Sequence, residues 1–215
     1  MALTGLVVDW GGVLTVGMRE AMGAWVADEA LDIDAYISVM REWLGPEYGM
    51  EAAFNPIHAL EKGELEVPQF EEHLAQALAA RTGVTVDSAG LLQRMFRFFR
   101  NSPDMIALVR RAREQGIRTA LLSNSWGDNY PDDLFDGMFD AVVISGRVGM
   151  RKPDPEIFEY TLSELALPAR ECVFVDDLLP NVHAARALGL VAVHHTDYAT
   201  TAGELDALFG RTLSR

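Results

Sequence analysis

With one cysteine, Cys172, in 215 residues, the chain has no second thiol with which to close an internal disulfide. That cysteine sits in the apolar run Cys172-Val173-Phe174-Val175, where a small buried residue is expected rather than a nucleophilic thiol. Basic residues are also scarce: 18 Lys and Arg stand against 32 Asp and Glu, for a net charge of −14. Such a surface repels nucleic-acid backbones and anionic lipid, which excludes both as partners. A small anionic substrate meets the same repulsion unless a bound cation reverses it locally. No stretch approaches the roughly 18 uninterrupted apolar residues of a membrane span. The first apolar run has no basic segment before it and is interrupted by Asp9, so it does not read as a secretory signal. The expected setting is soluble, reducing and cytoplasmic, with the chain acting as a monomer or homodimer. Internal repeats, low-complexity segments and long linkers are absent too.

What the chain has is apolar residues, 49% of the total, enough for one packed α/β domain and a smaller companion. Five short runs read as buried parallel strands: Leu3 to Val8, Arg118 to Leu122, Ala141 to Ile144, Cys172 to Val175 and Leu190 to His194. Ser102-Pro103 and Asp154-Pro155 mark helix starts, and Gly116 and Gly189 mark helix ends. The alternation of strand and helix predicts a doubly wound, Rossmann-like parallel sheet with helices on both faces.

More than a hundred residues separate the first two strands, far beyond the dozen or so that a crossover needs. Within that interval Ala21 to Glu29, Asp34 to Leu44, Asn55 to Lys62, Pro68 to Arg81 and Ala89 to Arg100 read as helices. The expected organisation is therefore an α/β core of residues 1–15 and 101–215 with an inserted helical cap domain over residues 16–100. The four tryptophans and Met95-Phe96-Arg97-Phe98-Phe99 read as core or cap-hinge packing. The acidic segment from Glu61 to Glu72 reads as a solvated face.

Ligands in doubly wound sheets bind beyond the carboxyl ends of the strands. There the first strand runs into Asp9, the second ends at Ser123-Asn124, the fourth runs into Asp176-Asp177, and the turn-rich Gly149 to Pro155 supplies Lys152. Three carboxylates in one cleft are costly unless a cation compensates, and magnesium, which takes a few carboxylates, waters and phosphate oxygens, suits that set. Ser123 and Asn124 are candidate donors to a phosphoryl group. Lys152 is the candidate to offset charge on Asp9 and on the phosphate.

In order, VVDWGGVLT, LLSN, RKPDPEIF and VFVDDLLPNVHAARALG resemble the four motifs of haloacid dehalogenase-like hydrolases. The likeness is strongest to the phosphatase-like subgroup that includes the N-terminal domain of soluble epoxide hydrolase. The resemblance implies that Asp9 is a nucleophile forming an aspartyl intermediate, that Ser123 and Asn124 bind the transferring group, and that Lys152 stabilises charge. It implies Asp9, the Gly11 carbonyl and Asp177 as magnesium ligands, Asp176 as a support for Lys152 or the metal's waters, and Asn181 as a support for the loop or substrate. A small phosphorylated molecule is the implied partner, selected by a mobile helical cap.

One position departs from that pattern. Phosphatases of the family carry a second aspartate two residues after the nucleophile, and here that residue is Gly11. Acid–base catalysis worth roughly 10²–10⁴-fold then lacks its donor. Three readings remain: a phosphatase that is slow or recruits another group, with His58 and His73 as candidates; a non-catalytic phospholigand sensor; and a dehalogenase, with Arg41 as halide ligand. Against the last, Asp176-Asp177 favours a metal, and Arg41-Glu42-Trp43 reads as one face of an amphipathic helix.

Overall fold

The computed structural model describes residues 2–44, 55–128 and 130–214. Its centre is a parallel sheet of β1 (Gly5–Val8), β2 (Arg118–Ser123), β3 (Ala141–Ile144), β4 (Cys172–Asp176) and β5 (Val191–His194), in the order β3-β2-β1-β4-β5. All five apolar runs form strands. β1 begins two residues later than its apolar run. At Gly5 the backbone comes so close to β4 that a Cβ would lie 2.7 Å from Cys172 Sγ and from Leu167 Cδ1. Because alternate side chains point to opposite faces, the sheet builds two cores. Leu6, Val8, Leu121, Val173 and Val175 face one, and Val7, Ala120, Leu122, Cys172 and Phe174 face the other. Burial pushes the Cys172 thiol up to about 11, in keeping with an inert packing role.

Among the described residues of the insertion after β1 there are five helices: α1 (Met18–Asp28), α2 (Ile33–Leu44), α3 (Pro56–Glu61), α4 (Val67–Thr82) and α5 (Leu91–Phe96). They enclose an apolar cluster of their own around Trp25, Val39, Ile57, Phe70, Leu74 and Leu92. Where the chain leaves and re-enters the sheet region it is tied to itself: Val16 N–H donates to Arg100 O at 2.8 Å and Ser102 N–H to Leu14 O at 2.8 Å.

The remaining helices cover the sheet. α6 (Pro103–Glu114) lies on the first core face, and α7 (Asp132–Phe135) and α8 (Ser145–Val148) are single short turns. α9 (Pro155–Leu165) and α10 (Leu179–Ala187) lie on the second face, and α11 (Tyr198–Phe209) returns to the first. At Ser102 and Asp154 the expected caps form no side-chain hydrogen bond. The proline that follows each, with φ already near its helical value, sets these starts. Gly116 and Gly189, at φ +82 and +89, end helices in the left-handed region. α11 was not anticipated from the sequence, although Asp197 caps it through Thr200 N–H at 2.9 Å and Gly210 ends it. No helix among the described residues is long and apolar enough to cross a membrane.

The segment from Glu61 to Glu72 is exposed at Glu64, Glu66 and Glu72, as its composition suggested, but buried at Glu61 and Glu71. Glu61 and Glu71 are 7% and 5% exposed. Glu71 accepts N–H bonds from Gly90 at 3.2 Å and Leu92 at 2.8 Å, so a side chain 19 to 21 residues away satisfies the first turn of α5. That start, after Gly90 at φ +68, is why the helix expected from Ala89 to Arg100 is shorter at its N-terminal end. At the other end Phe98 and Phe99 turn back onto Met95 and Phe96 by three-residue bonds. Replacing Glu71 with alanine strands one buried and one half-buried N–H group and is expected to cost about 2 kcal/mol in urea denaturation. A loss under about 0.5 kcal/mol would place it among ordinary surface changes instead.

Candidate functional site

Asp9 follows β1 directly, and its N–H extends the pairing with β4 by one step, donating to Val175 O at 2.9 Å. The chain then turns sharply over Trp10, whose carbonyl accepts from Leu14 N–H at 2.9 Å and Thr15 N–H at 3.2 Å. Gly12 adopts φ +79, and a Cβ there would lie 2.3 Å from Asp177 Oδ2. Glycine at 12 is what lets the Asp177 carboxylate reach the turn after β1. Gly11 differs: a Cβ would meet Met18 Cε at 3.6 Å, ordinary contact, and its backbone is not in the left-handed region. Sterics do not demand a glycine at that position.

β4 delivers Asp176 and Asp177, and the loop before α9 delivers Lys152. The Lys152 side chain is 1% exposed, with Nζ 2.8 Å from Asp9 Oδ1 and 2.6 Å from Asp176 Oδ2. Burial works against its charge, but Asp176 and Asp9 outweigh burial and hold the ammonium above the ordinary lysine range. One carboxylate oxygen from each of Asp9, Asp176 and Asp177 lies within 4.8 Å of the others. Burial pushes Asp9 up to about 7, Lys152 pulling the other way and Asp176 and Asp177 adding to the rise. Asp177 is pushed up to about 6 by burial and by Asp176. A single ammonium thus leaves the three carboxylates short of positive charge.

The supporting groups are occupied in specific ways. Both oxygens of Asp176 accept from Asn181 Nδ2, at 3.0 and 3.1 Å, and Oδ1 also accepts from Leu178 N–H at 2.8 Å. Asn181 is therefore turned toward Asp176. Asn124 forms a reciprocal pair with the Lys152 backbone: Nδ2 donates to Lys152 O at 2.9 Å, and Oδ1 accepts Lys152 N–H at 2.8 Å. Its amide holds the lysine loop against the end of β2. Ser123 Oγ lies 2.8 Å from the Tyr130 hydroxyl.

Between the strand ends and the inserted helices is a cavity of ≈ 110 Å³. Gly11, Ser123 and Asn124 lie at its polar end, and Met18, Met22, Met95, Phe96 and Phe99 form much of its wall. Trp10, Trp126 and Tyr130 also line it, and Glu61 is the one charged side chain among the described lining residues. Glu61 is bound in a seam between insertion and core: Arg151 Nε donates to Oε2 at 2.6 Å, Trp126 Nε1 donates to Oε1 at 3.3 Å, and Ser145 Oγ donates to its carbonyl at 2.5 Å. Burial raises the Glu61 carboxyl, with Arg151 opposing that rise. Sequence reasoning missed Glu61, Arg151, Trp126 and Tyr130. Only the position of Arg151 beside Lys152 offered a hint. Neither His58 nor His73 is among the residues lining the cavity, and Arg41 is exposed on α2.

A model of the haloacid dehalogenase-like hydrolase family matches residues 3–189. The sesquiterpene phosphatase astK of Aspergillus oryzae is 40% identical over 114 residues, 49% of this chain and 56% of that one. Bifunctional epoxide hydrolase 2 of Rattus norvegicus is 26% identical over 226 aligned positions, 98% of this chain and 39% of the relative, in agreement with the resemblance carried by the four motifs. The chain thus spans less than two thirds of either relative's length. Among solved structures, a HAD-family enzyme from Bacteroides thetaiotaomicron in complex with magnesium and inorganic phosphate has a similar fold. Its TM-score is 0.63 at 18% identity, over 93% of this chain and 99% of that one.

His58, on α3, is half-buried with Nε2 unpartnered. Burial first, then Arg151, lowers it to about 4, with Lys62 adding and Asp154 opposing. Its folded pKa lies below the value of about 6.5 in an unfolded chain, so the unfolded state takes up the proton first. The contribution is complete above about pH 6.5 and is lost as pH falls toward about 4. Urea denaturation between those limits is expected to show a loss of stability that His58→Leu lessens. An identical pH slope in the variant would contradict the assignment.

Proposed function

The chain belongs to the haloacid dehalogenase-like hydrolases, and from that premise we propose that it is a magnesium-dependent phosphomonoester hydrolase with Asp9 as nucleophile. The observation that carries this reading is the buried meeting of Asp9, Asp176 and Asp177 around Lys152 at the carboxyl end of the sheet. The donor set fits magnesium: hard carboxylate oxygens in a cleft whose one ammonium leaves negative charge uncompensated. Asp9, Asp177 and the Gly11 carbonyl would hold the ion, since Asp176 already spends its oxygens on Lys152, Asn181 and Leu178. Bound there, magnesium supplies Lewis-acid charge that orients and polarises the phosphoryl group.

The other roles follow from what each group has free. Lys152 fixes one Asp9 oxygen and offsets charge that develops on the phosphoryl oxygens. Asp176 positions Lys152, and Asn181 positions Asp176. The Ser123 hydroxyl is the side-chain donor at the polar end of the cavity. Asn124 contributes chiefly by fixing the Lys152 loop, because its amide is already paired there. Residues 16–100 act as the cap that selects substrate, a reading supported by the cavity wall that α1 and α5 provide. The setting is the reducing cytoplasm, in keeping with the single buried thiol.

Gly11 favours a second reading, a phospholigand sensor that keeps the site and does not turn over. One series of assays separates the two. With magnesium and p-nitrophenyl phosphate, the native protein is expected to release phosphate, Asp9→Asn to fall to background, and chelation to do the same. Gly11→Asp, for which the turn has room, is expected to raise turnover by roughly 10²–10⁴-fold. A silent native protein that Gly11→Asp awakens would establish the sensor reading. Native turnover that survives Asp9→Asn would contradict both.

A further inference from the structure

The cavity and the bare position at Gly11 together define the leaving group. Gly11 is not forced by sterics, since a side chain would meet only the end of Met18 at ordinary contact distance. The space such a side chain would occupy opens onto the cavity that Gly11 lines. Glycine itself offers a departing oxygen no side-chain proton donor from that position.

Several of the hydrogen-bonding groups around the cavity are already engaged. Trp126 Nε1 donates to Glu61, the Asn124 amide is paired with the Lys152 backbone, and the Tyr130 hydroxyl shares a hydrogen bond with Ser123. Glu61 is neutralised by Arg151, and no cationic side chain is among the described residues that line the cavity. A polyol would find few partners for its hydroxyls there, and a carboxylate or second phosphate would find no counter-charge among the described lining residues. The thioethers of Met18, Met22 and Met95 and the rings of Phe96 and Phe99 instead suit a flat aromatic group. The size is of the order of one ring: a closed cavity of about 150 Å³ holds benzene, and this one, polar end included, is ≈ 110 Å³ and open on one side.

We propose that the substrate class is the monocyclic aryl phosphomonoester, whose phenolate leaves without being protonated by the enzyme. This rests on the reading of Asp9 as a phosphoryl acceptor. An Asp9 carboxylate oxygen attacks phosphorus and the P–O(aryl) bond breaks. The electron pair stays on the phenolate oxygen, a far weaker base than an alkoxide, with a conjugate-acid pKa of about 10. The phenolate takes its proton from water after release. A water then attacks phosphorus, the bond between phosphorus and Asp9 breaks, and the water's proton passes to the departing phosphate, restoring the carboxylate.

The test uses the full chain with magnesium and pairs substrates of equal bulk: phenyl phosphate against cyclohexyl phosphate, and a series of substituted phenyl phosphates of graded leaving-group pKa. The concentrations that half-saturate single-turnover phosphorylation are expected to agree within a few-fold for phenyl and cyclohexyl phosphate, with the maximal phosphorylation rate for the aryl ester higher by about 10²-fold or more. The rate of Asp9 phosphorylation in single turnover is expected to fall steeply as the leaving group becomes more basic. Gly11→Asp should narrow the gap by accelerating the alkyl ester more than the aryl one. Equal native rates on the two esters would overturn the inference while leaving the hydrolase reading in place, as would an alkyl activity that Glu61→Gln selectively removes. No phosphorylation of Asp9 by any ester, including p-nitrophenyl phosphate, overturns the hydrolase reading and this inference with it.

Discussion

The Lys152 ammonium, buried between Asp9 and Asp176, is the contact on which the arrangement of the site depends. An ammonium that is 1% exposed persists only with close counter-charge, and β1 and β4 each supply a carboxylate at the point where their strands end. Neighbouring parallel strands of the same sheet make those two ends adjacent. The lysine also holds two carboxylates together that would otherwise repel, and with Asp177 added the cluster still lacks positive charge. Pre-organised negative oxygen short of positive charge is the feature on which the proposed phosphate chemistry rests.

Consecutive residues join that site to the inserted helices. Lys152 turns into the carboxylate cluster, and Arg151 turns to Glu61 at the end of α3. The Asn124 amide clamps the backbone of Lys152 from the end of β2. Glu61 in turn receives Trp126 from the β2 side and Ser145 from the start of α8. The seam is polar and buried, so its parts hold one another in a single arrangement, and they leave the cavity above Gly11 with methionine and aromatic walls. Where the geometry is tight, at Gly12 against Asp177, glycine is a steric necessity. At Gly11 it is not, and its consequence is chemical.

Much of this was legible in the order of residues. The five strands announced themselves as short apolar runs because parallel strands are buried on both faces, and the chemically important groups stood where those runs stopped. Asp9, Lys152, Asp176 and Asp177 could be brought together from topology alone. The partnerships could not. Glu61 and Arg151 lie 90 residues apart in the chain, and nothing local distinguishes a glutamate that meets an arginine across a seam from one that meets water. Glu71 is the same case, its carboxylate serving a helix that begins 20 residues later. Asn124 looked like a ligand-facing amide because it ends a strand, yet its amide is paired with the neighbouring loop. The helix at Tyr198–Phe209 had legible limits in Asp197 and Gly210, and its apolar spacing was passed over.

The most direct measurement is the identity of the atom that receives the phosphoryl group. Rapid-quench mixing of the native protein with magnesium and an aryl phosphate, followed by peptide mapping under acidic conditions, should find a phosphoryl adduct on Asp9. It should accumulate, because Gly11 gives the attacking water no base. Phosphate released without an adduct at Asp9, or an adduct on another side chain, would contradict the account of this site.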